Sequence, residues 1–450
     1  MQTHTLYRGI IVFALTGLLA GIFPEVAAAR DTLTVARAVQ LGLENNYAIH
    51  IARNEADIAE NNNSLGNAGF LPRLSVSGTQ TGNLTNSRQE YAFNNQVNER
   101  TGATSQSLNS NVSLNWTLFD GFRMFTTRQS LQALEQQGET NARLTIESTV
   151  GDIINGYFNI VRQQQTLNVL RDALSISHTR LNIARQKESL GSGSGLETLQ
   201  AQSDLNSDSS AYLRQRAVVQ NAQIDLNRLL ARDPETGFSV TDSIPIRDDL
   251  VLADLQRQVD QENSQLQRAR INRHLANLSL QQIRSERMPV IDLNAGYGFS
   301  KSRSQSGFLK SNRSSGYNIG LTASLSLFDG FDVHRRAQNA KIRIRNNEEN
   351  YQDIHNEISA SLRQIYEDYR SNLQLLQLER ENVEVARHTL EVAQERYRLG
   401  TIAQLELREA QRTYVQAVNR RVNVQYLCKV AETELQRLSG RLMQTRPAGG

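Results

Sequence analysis

The sequence predicts a mixed α+β membrane protein made of two copies of one helix–strand–strand–helix–helix unit. Three observations predict it. The pentapeptide Leu118-Phe119-Asp120-Gly121-Phe122 returns as Leu327-Phe328-Asp329-Gly330-Phe331, 209 positions on. Between Pro72 and Pro234, and again between Pro289 and Pro447, there is no proline, and apolar residues recur there at heptad spacing. Four other segments switch to a period of two. A repeat of this length sets the architecture before any single residue does, and each periodicity belongs to one kind of element.

Residues 1–29 read as a secretory signal: Arg8, an apolar run from Ile10 to Phe23, then Ala27-Ala28-Ala29 before Arg30. The run is short of the ~20 residues that a membrane-spanning helix needs. The first repeat, 30–248, opens with a helix expected over 33–65. Pro72 stops it, since proline lacks the helix donor and clashes with the preceding turn. Strands are expected over 71–82 and 108–119. In the latter, Leu108, Ser110, Val112, Leu114, Trp116 and Leu118 alternate with Asn109, Asn111, Ser113, Asn115 and Thr117. A helix over 121–190 would be ~105 Å long at 1.5 Å per residue. It carries Ile153, Ile160, Leu167, Leu174 and Leu181 on one seam and ends at Gly191-Ser192-Gly193-Ser194-Gly195. A shorter helix, 196–231, runs back.

The second repeat, 249–440, restates the order: helix 250–287, strands 289–300 and 315–328, helices 330–399 and 403–439. Residues 441–450 form a flexible tail. Leu362, Tyr369, Leu376, Val383, Leu390 and Tyr397 hold the seam over five heptads, which implies left-handed supercoiling. In each copy the two shorter helices together match the long one. Stacked end to end, they would run antiparallel beside it.

Each strand is ~10 residues with one apolar and one small polar face, the pattern of a transmembrane β-strand between lipid and water. Open sheet edges are not tolerated in lipid, and the smallest bacterial barrels use about eight strands. Four strands therefore require oligomerisation, each protomer supplying a sector. At the junctions, Asp120 and Asp329 are expected as helix N-caps. Gly121 and Gly330 relieve the bend, and Phe119, Phe122, Phe328 and Phe331 suit the membrane interface.

The formal net charge of +3 is slight for 450 residues. No basic cluster interleaves with aromatics, so nucleic acid is not an expected partner. The mature-chain histidines show no metal-ligand spacing, and the single cysteine, Cys428, has no partner. No catalytic constellation, metal site or cofactor site is expected.

These residues resemble the TolC family of outer-membrane factors over essentially the whole mature chain. The resemblance rests on the duplicated unit, the Leu-Phe-Asp-Gly-Phe junctions, and Glu395-Arg396-Tyr397-Arg398-Leu399-Gly400-Thr401 followed by Leu405 and Ala410-Gln411. It implies a homotrimer with a twelve-stranded β-barrel in the outer-membrane lipid, continuous with a long α-helical coiled-coil barrel in the periplasm. It also implies an exit duct for efflux or type I secretion, working with a periplasmic adaptor and an inner-membrane transporter. By the same resemblance, Glu406 and Glu409 line the constricted periplasmic mouth. Three residues apart they share a helix face, and a threefold ring of carboxylates selects cations. The first copy has Glu197 but Gln200, and the glutamate pair replaces the aspartates of better-known members. The turns at Leu190 and Gly191 and at Leu399, Gly400 and Thr401 resemble the hairpin tips where adaptors dock. A cell-surface or periplasmic adhesive coiled coil is the alternative; it would leave the four amphipathic strands unexplained.

Overall fold

The computed structural model describes residues 32–306 and 309–443. The expected signal segment 1–29 and the end of the expected tail lie outside the described residues. The described residues open with a two-residue strand β1 (Thr32–Leu33) and two helices, α1 (Val35–Asn45) and α2 (Tyr47–Asn62). Strands β2 (Arg73–Glu90) and β3 (Val97–Phe119) follow, then α3 (Arg123–Ser189) and α4 (Gly195–Leu229). After β4 (Ser239–Val240) the order recurs with α5 (Leu252–Glu262), α6 (Ser264–Ser285), β5 (Val290–Ser304), β6 (Ser311–Ser324), α7 (Asp332–Arg398) and α8 (Gln404–Leu438). Both long helices have 67 residues, about 100 Å at 1.5 Å per residue.

The single opening helix expected in each copy is two. Asn46 breaks the first: its extended backbone stops α1, and its side chain caps α2 by accepting from the Ala48 and Ile49 amides. Asn263 does the same between α5 and α6 through Gln265 and Leu266. Each asparagine also donates to the last turn of the neighbouring helix, Asn46 to Leu229 O at 2.7 Å and Asn263 to Leu438 O at 2.9 Å. This contact seats α2 end to end on α4, and α6 on α8. The parallel pair of β1 with β4, absent from the sequence-based expectation, ties the start of the first repeat to the linker between copies. A core of Leu33, Ile153, Tyr157, Ile160, Leu226, Leu230 and Phe238 gathers there. Leu255, Leu266, Leu362, Tyr369 and Leu435 form its counterpart in the second copy.

The four long strands make one antiparallel sheet in the order β2-β3-β5-β6. They run beyond the expected ends, to Glu90 and Val97 in the first hairpin and to Ser304 and Ser311 in the second. β6 stops at Ser324 rather than 328, because β5 begins at Val290, the partner of Ser324, and has no residue opposite 325–328. The register aligns the faces. Leu74, Leu114, Ala295 and Ile319 form one row, and Val76, Val112, Tyr297 and Tyr317 the next. The opposite face pairs Ser75 with Ser113, oxygens 2.8 Å apart, and Ser300 with Asn109 at 2.8 Å. The apolar face is uncovered: Val76, Tyr317 and Ile319 are 76%, 89% and 79% exposed. The β2–β3 ladder continues to Glu90–Val97, whereas the β3–β5 ladder ends at Ser105–Ser304. The first hairpin therefore overhangs the second.

Candidate functional site

Far from the sheet, the long helices end in matching turns. At the end of α3 the amide of Ser192 donates to Lys187 O and that of Gly191 to Glu188 O. At the end of α7, Thr401 donates to Arg396 O and Gly400 to Tyr397 O. Both are Schellman motifs, which need a left-handed residue where the glycine stands; Gly191 has φ +69° and Gly400 φ +76°. The turns leave apolar side chains in the open. Leu190 and Leu399 are 81% and 65% exposed, and Leu196, Leu199 and Leu405 in the returning helices are also exposed. Sequence reasoning named the first two as tip residues, quoted Leu405 only as part of the family motif, and missed Leu196 and Leu199. Leu196 and Leu405 are equivalent under the 209-residue shift, a signal that could have found them.

The expected acidic residues sit just above the turns. Glu406 and Glu409 are both exposed on α8, and the Glu406 carboxylate accepts from the Ala403 amide at 3.3 Å. Glu197, in the first turn of α4, is half-buried. Between the two glutamates Arg408 points the other way. Its guanidinium grips Asp208 of α4 at 2.7 and 3.0 Å and stands 3.6 Å from Asp204. Asp204 in turn holds the buried Arg180 of α3 at 2.6 Å, and Ser177 donates to Asp208 at 2.5 Å. Gln411 of α8 reaches Ala173 O at 2.8 Å.

This network joins the two helical hairpins through three helices, and sequence reasoning missed it. Burial pushes the Arg180 guanidinium below its ordinary pKa, against the pull of Asp204. For Arg408 burial works the same way but is outweighed by the Asp208 bonds and charge, so its pKa is raised. Arg180 Nε and Nη1 and the Tyr397 hydroxyl have no hydrogen-bond partner.

At the opposite end of the long helices lie the two Leu-Phe-Asp-Gly-Phe junctions. Asp120 accepts from the Met124 amide at 3.1 Å and Asp329 from Val333 at 2.9 Å. The residue that immediately precedes each helix is Phe122 or Phe331, not the aspartate expected there. Gly121 and Phe122 both have positive φ, +70° and +68°, as do Gly330 and Phe331, both +65°. The Arg123 amide faces Asp120 O at 3.4 Å, and Asp332 faces Asp329 O at 3.3 Å. Positive φ at both central residues is the type I′ turn. The turn places the capping aspartate two residues before the N-cap position. Phe119 and Phe122 meet edge to face at 5.2 Å, Phe328 and Phe331 at 5.5 Å. Phe122, Phe328 and Phe331 are exposed.

Among the described residues no group of three or more His, Cys, Asp or Glu could hold a metal ion. No described helix is long and apolar enough to cross a membrane; that says nothing of the sheet.

A family model described as outer membrane efflux protein matches residues 38–232 and 255–441. Protein CyaE of Bordetella pertussis is 24% identical over 264 residues, 58% of this chain and 55% of that protein. The matched stretch thus spans little more than half of that relative. Outer membrane protein TolC of Escherichia coli is 19% identical over 349 residues, 75% of this chain and 70% of that one. Among solved structures, the CmeC outer membrane channel of Campylobacter jejuni superposes with a TM-score of 0.75 at 18% identity. That superposition covers 91% of this chain and 86% of the other, and it shows a shared fold.

Proposed function

The chain belongs to the outer membrane efflux protein family, and from that premise we propose that it is the exit duct of a tripartite efflux pump or type I secretion system. Three copies close their four-stranded sectors into a twelve-stranded barrel. The helices beneath form a tube across the periplasm. The duct is passive and performs no chemistry of its own. Its periplasmic end narrows where Glu406 and Glu409, with Glu197, face the axis. The tips at Leu190, Gly191, Leu399, Gly400 and Thr401 present exposed apolar surface to a periplasmic adaptor, which links the duct to an inner-membrane transporter.

One observation carries this reading: an open sheet with an uncovered apolar face runs directly into helices of 67 residues. Exposed strand edges template further pairing, and in lipid they must be closed. The free edges are β2 and β6, so β6 of one copy pairs with β2 of the next. Mass measurement in detergent together with conductance in planar bilayers tests it. A trimer with discrete, cation-selective channels is expected. A stable monomer, or a trimer that never conducts, would refute the duct.

A further inference from the structure

The outward face of the second β-hairpin carries a feature that transport does not use. No acidic residue occurs between Asp292 and Asp329, and the cations in that stretch are Lys301, Arg303, Lys310 and Arg313. In β5, Lys301 and Arg303 continue the odd-numbered face of Ile291, Leu293, Ala295, Tyr297 and Phe299. In β6, Arg313 shares its face with Tyr317, Ile319 and Leu321. The register sets Lys301 directly opposite Arg313. The Arg313 guanidinium lies over the Phe299 ring, 5.3 Å from its centre. All four cations are exposed, and among the described residues none forms an ion pair.

The cluster stands at a defined height. Ten residues separate Ile291 from Lys301, about 33 Å along a strand. At a strand tilt of roughly 40° that is about 25 Å along the barrel axis, the height of the apolar band of an outer-membrane barrel. Lys301 and Arg313 therefore sit on the upper rim of the band, just above the ring pair Tyr297–Tyr317. The other two strands are neutral there: Gln80 and Leu108 occupy the row of Lys301, and Gly82 and Gln106 the row of Arg303. Glu90 and Glu99 lie on the overhang, past the last β3–β5 pair. Like charges directly opposite on a sheet repel, so an anion held between Lys301 and Arg313 would relieve that repulsion.

We propose that Lys301, Arg303 and Arg313 form a binding site for the phosphorylated headgroup of an outer-leaflet glycolipid. Its phosphate is held by the guanidinium forks and the lysine ammonium. Its acyl chains run down the apolar face past Phe299, Tyr297 and Tyr317. The assignment rests on the membrane-spanning sheet of the preceding section, with the hairpin ends outward and the helices inward. It goes beyond the duct in giving one sector of the wall a lipid of fixed chemistry.

The test uses the assembled protein in nanodiscs, with bisphosphorylated lipid A, its dephosphorylated form and inorganic phosphate as probes. Binding is read by native mass spectrometry. The triple variant Lys301→Gln, Arg303→Gln, Arg313→Gln should bind bisphosphorylated lipid A about 100-fold more weakly, about five-fold for each cation lost. The swap Lys301→Arg, Arg303→Lys, Arg313→Lys keeps the charge and loses two of the forks, so it should bind more weakly than the parent and more tightly than the triple Gln variant. Dephosphorylated lipid A should bind the parent as weakly as the triple variant binds the phosphorylated form. Undiminished binding by a triple variant that still conducts overturns the site. So does equal binding of the two lipids. Displacement by an equal concentration of inorganic phosphate overturns the lipid assignment in favour of a free-anion site. If the triple variant fails to insert, Arg313→Gln alone should still show the five-fold loss, and its absence overturns the proposal. Conductance of the parent reads the barrel premise separately: a conducting parent with unchanged lipid binding sinks this site alone.

Discussion

Gly121 and Gly330 occupy equivalent places and do not carry equal weight. A Cβ on Gly121 would lie 2.4 Å from Ser285 O and 2.6 Å from Met288 Cβ, while one on Gly330 meets nothing within 4 Å. Both residues are left-handed, which costs an L-residue roughly 1–2 kcal/mol. Only Gly121 adds a clash with backbone, worth about 1–3 kcal/mol more. Gly121→Ala should therefore lower the thermal midpoint clearly more than Gly330→Ala, as followed by circular dichroism. Equal midpoints would show that the close approach to Ser285 relaxes at no cost. The pentapeptide repeat made both glycines legible in the sequence, but not this difference, which depends on a contact 164 positions away. The Arg180–Asp204–Asp208–Arg408 network was hidden for the same reason. Its members sit on three helices, and each alone reads as an ordinary surface charge. The place of Glu406 and Glu409 on α8, six and nine residues beyond Gly400, could be read from the sequence; their lining of a mouth is a proposal.

Elements were legible where one periodicity runs without interruption. The seam from Leu362 to Tyr397 is buried at Leu362, Tyr369, Leu376, Val383, Leu390 and Tyr397, as a heptad pattern requires. The helix breaks were not legible, because a capping asparagine fits a polar position of an amphipathic helix. The one clue was that Asn46 and Asn263 correspond between the copies. The copies also differ where α6 meets α7. Arg336 bonds Glu286 at 2.9 Å and Asp332 at 2.7 Å, whereas the first copy has Thr127 at that place. The Arg336 hydrogen bonds hold the Glu286 carboxyl below its ordinary value of 4.5. A folded-state pKa below the unfolded one stabilises fully above the unfolded value and is lost as pH falls through the folded one. Glu286→Gln should thus lower the urea midpoint at pH 7 and do so progressively less below about pH 4.5. A deficit that is the same at pH 7 and pH 3 would mean that the pair contributes nothing through its charge.

At the scale of the whole molecule, the proposed mouth has a test of its own. Three copies of Glu406 and Glu409 around one axis would repel one another and attract cations. Replacing both by Gln should shift the single-channel reversal potential in a salt gradient towards zero. Glu197→Gln should shift it less, because Gln200 is already neutral. An unchanged potential in the double variant would put the carboxylates on the outer wall of the tube. At the other end, the overhang of the first hairpin would shape the exit of the proposed duct. From Ser105 to Val97 the β2–β3 ladder extends eight residues past the last β3–β5 pair, about 26 Å along the strand at 3.3 Å per residue. Closed by the proposed threefold symmetry, the rim would be a crown of three tall posts with gaps between them. Cargo leaving such a duct would spill sideways through the gaps, and a post clipped off at Tyr91–Gln96 would leave the wall below intact.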